Sequence, residues 1–275
     1  IATNTDRATT GDSNVTISDA LTAYSVLLDN KQASSNSDIN VTVSGALTTG
    51  TVTLNALSGA GGTGAGADVN LTMNADVTAT SFTLNEVSSG TATLIFDGRE
   101  DQSVTGIING AAANEGRITV LNNDGIVTFN SRIGGGARLA SILLSGSTST
   151  KFVSAVNASR IDVDGTVEFT IADNIDSDDA VIDFGSGGAA SAKIVIGSAI
   201  GDGDTVVSAA QVTSTSVIAE VILPTNFVDG TITLFDTADG NASGATITSI
   251  RDTALTDFAS ADSNNGYDVT LTATA

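Results

Sequence analysis

Between residues 91 and 171 the chain is a succession of short runs in which every second residue is apolar. That alternation limits the fold more than any other feature. The runs are Ala92–Phe96, 117–121, 126–130, 142–144 and 167–171. Val, Ile, Leu and Phe alternate there with Thr, Asn or Glu, the period of a strand with one buried face. Asp-Gly, Asn-Gly and Gly-rich corners separate the runs, and nothing holds helical spacing over a useful length.

Both flanks continue in this style. Upstream lie 14–17, 24–28, 39–43, 51–54, 69–73 and 81–84; downstream lie 180–184, 193–196, 217–223, 231–235, 245–250 and 267–272. Residues 18–28 also fit a short capping helix, because Leu21, Tyr24 and Leu28 are apolar, but Tyr24, Val26 and Leu28 alternate and favour a strand. Residues 31–38 and the glycine-rich 59–66 read as loops, and Pro224, the only proline, ends a run. Six Asp-Gly pairs, beginning at Asp97, Asp124, Asp164, Asp202, Asp229 and Asp239, predict turns.

Strands at this spacing suit a β-sandwich, which stays open as the alternative. The fold class predicted here is all-β, a right-handed parallel β-helix (β-solenoid). It accounts for corners of varying length and for inward rows of Val, Ile and Leu, with coils of roughly 20–25 residues stacked about 4.8 Å apart. An apolar content of 41% with only 4% aromatic residues and no Trp suits a narrow stack of similar layers. Residues 1–275 read as a single solenoid domain, with 1–38 as an N-terminal cap.

Charge narrows the partners. Ten basic residues face 31 acidic ones, for a net charge of -21. Phosphate backbones and anionic membrane surfaces repel such a chain, so nucleic acid is not an expected partner. No apolar run is long enough for a membrane helix, so insertion within this chain is not expected. The chain has no cysteine and starts at Ile1, which fits a processed or excised product that folds outside the cell without disulfides.

The central stretch resembles the passenger region of bacterial autotransporters, in particular rickettsial outer-membrane-protein-B-like surface antigens. The resemblance is carried by Leu94-Ile-Phe-Asp-Gly98, Ser103-Val-Thr-Gly-Ile107, Gly116-Arg-Ile-Thr-Val120 and Gly125-Ile-Val-Thr-Phe-Asn130. Ile133-Gly-Gly-Gly136, Leu139-Ala-Ser-Ile142 and Gly146-Ser-Thr148 follow in the same order. It implies a secreted or surface-displayed β-helical stalk with an adhesive or surface-layer role. The C-terminal barrel of that family has no counterpart in the closing TLTATA.

Catalytic chemistry is poorly provided for. With no histidine and no cysteine, Ser-His-Asp, Cys-His and zinc-histidine arrangements cannot be built. Asp162 and Asp164 are the carboxylate pair a glycosidase would use, but Asp164-Gly165 reads as a turn and Asp162 as an outward strand position. No catalytic residue and no cofactor site is therefore assigned. The candidate calcium ligands are Asp173, Asp176, Asp178 and Asp179, with Asp202 and Asp204 as a second acidic pair. Residues 176–180 fail the EF-hand pattern, residues 63–71 only brush the calcium-binding nonapeptide, and solvated acidic loops explain both. Residues 61–66 lack the Lys-Ser/Thr of a phosphate loop. The sequons at Asn14, Asn40, Asn70, Asn157 and Asn241 read as chance matches.

These features predict an extracellular or cell-surface, non-enzymatic β-solenoid serving as adhesin or stalk, with a host or cell-surface receptor as its partner. The alternative is a self-assembling surface-layer or filament subunit that associates through its terminal strands, at residues 1–10 and 267–275.

Overall fold

A computed structural model of the chain describes residues 2–4, 12–30, 37–57, 67–87, 89–122, 124–145, 148–185, 192–214, 218–227, 229–237, 250–251, 255–263 and 266–273. Side chains are described for all of these except 2–4, 57, 176–179, 214, 218–219 and those from 250 onward. The chain falls into two compact units, Ile1–Ile142 and Leu143–Ala275. The described residues contain strands and corners but no helix, and so none long and apolar enough to cross a membrane.

In the first unit the strands are β1 (Ala2–Asn4), β2 (Ser13–Ile17), β3 (Leu21–Asn30), β4 (Ile39–Val43), β5 (Leu47–Leu57) and β6 (Val69–Met73). They continue as β7 (Val77–Val87), β8 (Ala92–Phe96), β9 (Gln102–Gly110), β10 (Arg117–Val120), β11 (Ile126–Phe129) and β12 (Leu139–Leu144), whose last two residues belong to the second unit. Odd-numbered strands form one sheet in the order β1-β3-β5-β7-β9-β11, and even-numbered strands form the other, β2-β4-β6-β8-β10-β12. Consecutive strands therefore change sheet, and each strand pairs with the one a full coil away. Those pairs are parallel: Leu21 stands beside Leu47 and Leu47 beside Val77, while Ile39 stands beside Val69 and Val69 beside Ala92. This is a parallel β-solenoid with two strands per coil, and parallel pairing excludes the sandwich. Residues 21–30 are strand, not the capping helix.

The second unit repeats the plan with β13 (Ser149–Phe152), β14 (Ala158–Val163), β15 (Thr166–Phe169), β16 (Ile175–Phe184), β17 (Ala192–Ile196) and β18 (Thr205–Ser214). It ends in β19 (Ile218–Ile222), β20 (Gly230–Thr237), β21 (Ile250–Arg251), β22 (Leu255–Ser263) and β23 (Gly266–Ala273). One sheet runs β13-β15-β17-β19-β21 and the other β14-β16-β18-β20-β23-β22. The last two strands depart from the plan, since β23 pairs antiparallel with both β20 and β22. The terminal run 267–272 thus lies inside its sheet, and β22 is the outermost strand there. Residues 245–249, the body of the run read at 245–250, lie outside the described residues, as do 59–66.

Alternation fixes which side chains enter the core. In β4 and β6 the burial pattern is strictly in and out, so that Ile39, Val41 and Val43 stack under Val69, Leu71 and Met73. Across the gap, Val52 and Leu54 lie beside Phe82 and Leu84, all fully buried. Each such side chain contributes about 1.5–3 kcal/mol by leaving water. Phenylalanines fill the wider layers, with Phe96 edge-on to Phe129 (5.1 Å between centroids) and Phe152 stacked on Phe169 (6.4 Å).

Coil length varies more than the expected 20–25 residues, from 17 between Lys151 and Glu168 to 32 between Ile175 and Val207. Corners absorb the difference. Glycine is required at some for two separate reasons. Gly230 has φ +113, and a Cβ there would collide with the Asp202 carboxylate. Gly125 has no such φ, but the backbone of Glu100 and Asp101 in the previous coil occupies the place of its Cβ.

Candidate functional site: ladders and buried corners

The outward faces of the first unit carry like residues in columns, because an alternating strand repeated in register must place the same position above itself. On the odd-numbered sheet Thr22, Thr48, Thr78 and Thr105 form a column of exposed hydroxyls. On the even-numbered sheet Asn14, Asn40 and Asn70 stack beside Thr16, Thr42 and Thr72. Asn40 Nδ2 donates to Asn14 Oδ1 (3.1 Å) and Asn70 Nδ2 to Asn40 Oδ1 (2.9 Å). The Asn-x-Thr spacing of three of the sequons is therefore the spacing of two neighbouring columns. Asn85, Asn55 and Asp29 form a second such series, at 3.3 and 3.5 Å.

Acidic residues sit at the corners of the same unit and bind backbone. Asp12 Oδ1 accepts from the Asp38 N–H (3.1 Å), Asp38 Oδ1 from Asp68 N–H (3.0 Å), and Asp68 Oδ1 from Thr91 N–H (2.8 Å). At the opposite corner Asp76 takes Ser103 N–H (2.8 Å) and Asp101 takes Ile126 N–H (2.9 Å). Burial, and after it the repulsion from Asp68 and Asp12, raises the Asp38 carboxyl above its ordinary range, while the bond from Asp68 N–H opposes this.

Inside the corners, buried amides satisfy backbone groups that leave the ladder. Gln102 Oε1 accepts from Gly98 N–H (3.1 Å), and its Nε2 donates to Met73 and Ala75 carbonyls (3.0 and 3.1 Å). Asn122 Nδ2 donates to Glu100 O (2.7 Å), while its Oδ1 accepts from Asp124 and Gly125 N–H (3.1 and 2.9 Å). In the second unit Asn174 does the same for Thr170, Ile171 and Ser154. Sequence reasoning passes over all three. It also passes over the repeat Asp12-Ser-Asn-Val-Thr16, Asp38-Ile-Asn-Val-Thr42 and Asp68-Val-Asn-Leu-Thr72, a signal that locates the corner aspartates and both outward columns.

Outward columns of the second unit are charged. Lys151 stands beside Glu168 of the next coil, and Lys193 beside Glu220, in two separate columns, since Val195 follows Glu168 and Thr166 precedes Lys193. Lys151 Nζ is 2.7 Å from Glu168 Oε1, and Lys193 Nζ is 3.5 Å from Glu220 Oε2.

Asp162 is indeed outward, but its partner is not Asp164. Asp162 stands in register with Asp183 of the next coil, and Arg160 serves both. Arg160 Nε donates to Asp162 Oδ2 (3.0 Å), and Nη2 donates to Asp183 Oδ2 (3.1 Å). Burial raises the Asp162 carboxyl, Arg160 draws it back, and Asp183 and Asp164 push it up again. With one guanidinium bound to both carboxylates, neither is placed as the free base or nucleophile of a glycosidase.

Of the calcium candidates, Asp173 is an exposed turn residue with φ 47 whose N–H donates to Thr205 O (2.7 Å). The side chains of Asp176, Asp178 and Asp179 lie outside the described residues. Asp202 and Asp204 turn to separate backbone groups, Thr231 N–H (2.7 Å) and Gly201 N–H (2.8 Å). Among the described residues no three acidic side chains converge as a ligand set. Asn157 keeps a buried Oδ1, and Asn241 is outside the described residues. Comparison with protein-family models, curated proteins and solved structures finds no match.

Proposed function

We propose that this protein is an extracellular or cell-surface β-solenoid that acts without catalysis, as an adhesin or structural stalk of the autotransporter-passenger kind. The observation that carries the reading is the exposed column Thr22–Thr48–Thr78–Thr105 on a parallel sheet. Such a face offers a partner the same hydroxyl at each coil, and its hold on that partner grows with the number of coils engaged. Hydrogen bonding to a neutral, repetitive surface requires nothing more. Beads coated with the protein are expected to adhere to target cells or matrix, and the T48A/T78A variant, which keeps the fold, to adhere less. Polysaccharide cleavage abolished by an Asp substitution would overturn the reading.

A second reading, a self-assembling surface-layer or filament subunit, is favoured by one observation. Among the described strands β2 is the outermost of its sheet, and its inward Val15 and Ile17 are only half-buried. Strand addition at that edge would bury them. Sedimentation across a wide concentration range separates the two readings: a persistent monomer supports the first and excludes the second.

A further inference from the structure

Four strands of the odd-numbered sheet in the first unit are almost free of charge, in a chain whose net charge is -21. β5 and β9 contain no charged residue, and β3 and β7 carry one each, Asp29 and Glu86, next to their last residues. On the outward face of this sheet stands Tyr24, 95% exposed. An aromatic side chain ordinarily covers most of its surface; this one covers almost none. Its neighbour one rung on is Gly50, because Ala23 stands beside Thr49 and Ser25 beside Thr51. Thr80 comes next, between the pairs Thr48–Thr78 and Thr51–Ser81. A Cβ at Gly50 would lie 2.6 Å from the Tyr24 carbonyl oxygen, so close backbone packing keeps the place between Tyr24 and Thr80 open. Alongside runs the column of Thr22, Thr48 and Thr78. Among the described residues these three hydroxyls have no hydrogen-bond partner, whereas the amides of Asn40 and Asn70 on the other sheet are engaged in their own ladder.

The chemistry of this face selects its partner. It offers no charge to a phosphate or a cation. A protein partner needs a core of several large apolar side chains, and the neighbours of Tyr24 across the strands are glycine and threonine. A neutral, hydroxyl-rich chain whose rings stack on an aromatic side chain meets every requirement. Its repeat fits too, since rungs about 4.8 Å apart are close to the length of one pyranose unit in an extended chain. We infer that this face binds a neutral polysaccharide laid across the strands. One sugar ring sits over Gly50 against Tyr24, and the following rings meet the Thr78 and Thr105 hydroxyls rung by rung. This rests on the adhesive reading above and gives its ligand a chemical class. Each contact is weak in water, so affinity grows with the number of rungs engaged.

Calorimetric titration of the full chain with dimers and hexamers of a β-linked glucan, of chitin and of mannan tests this, with hexagalacturonate as the charged control. At least one neutral hexamer should bind, about tenfold or more tighter than its dimer, and hexagalacturonate should not bind. Y24A should weaken that hexamer about tenfold, and Y24F, which keeps the ring, should match the parent. Position 24 is exposed, so both variants keep the fold, which equal melting temperatures check. The inference is overturned if no neutral hexamer binds the parent, or if Y24A binds as the parent does. Coated beads separate its failure from that of the reading beneath it. Beads that adhere to cells while no neutral hexamer binds leave the adhesin and remove its polysaccharide. A Tyr24-dependent hexamer bound by beads that adhere to nothing does the reverse.

Discussion

Asp38 Oδ1 accepts a hydrogen bond from the backbone N–H of Asp68, the residue one coil further along, at 3.0 Å. The same contact made by Asp12 to Asp38 turns a side chain into the joint between successive corners. Replacing Asp38 by Ala leaves the Asp68 N–H without its acceptor and should cost about 1–2 kcal/mol in urea denaturation. Asn at this position keeps an oxygen acceptor and removes the repulsion from Asp12 and Asp68, so D38N should lie close to the parent.

Buried amides should matter more. Asn122 is fully buried and makes bonds to Glu100, Asp124 and Gly125, so N122A strands a carbonyl and two N–H groups. A loss of about 2–4 kcal/mol is expected. N174A should behave alike in the second unit. Equilibrium unfolding checks both, and a change under about 1 kcal/mol would contradict the role given to these corners.

Charge order in the second unit has its own signature. K151E sets a glutamate beside Glu168 on the neighbouring strand and should destabilise by about 0.5–1 kcal/mol at low salt, less at high salt. The exchange K151E/E168K restores opposite signs within that rung, and the residue in register with position 168 on the next coil is the uncharged Val195. It should therefore recover most of the loss, which a double-mutant cycle measures directly.

The fold was more legible than the site, and for a physical reason. Alternation in Ile39–Val43 or Val69–Met73 reports which side is buried, and repeated corners report that the pattern returns. It does not report how long each return takes. The corner residues that make unequal coils stack, Gln102 at the start of β9 and Asn122 and Asn174 in loops, are single polar residues with no period to betray them. Register hides the charged pairs too. In the sequence Asp162 sits nearest Asp164, two residues on, whereas its true neighbour Asp183 lies a coil away, at a separation only the fold sets. The antiparallel β22–β23 end is likewise hidden, since an alternating strand carries no mark of its direction.

Acid should stabilise the first unit. Burial raises Asp38 and Glu86 above their ordinary carboxyl range, against the pull of the Ala92 N–H and Arg117 on Glu86. Raised carboxyls weaken the fold when ionised, so stability should increase as pH falls from 7 through their folded-state values and level off below the unfolded ones. Urea midpoints measured at three pH values check the direction. The variants E86Q and D38N should each remove part of the increase.

In-register stacking of parallel coils underlies every statement above, and spin labels can read it because the chain has no native cysteine. Nitroxides placed through T48C and T78C sit on neighbouring rungs about 4.8 Å apart along the sheet. Their electron paramagnetic resonance spectrum should be strongly broadened by spin exchange, whereas the pair at Thr48 and Thr83, offset along the strand, should show much weaker coupling. An unbroadened 48/78 spectrum, or stronger coupling in the 48/83 pair, would contradict the solenoid register.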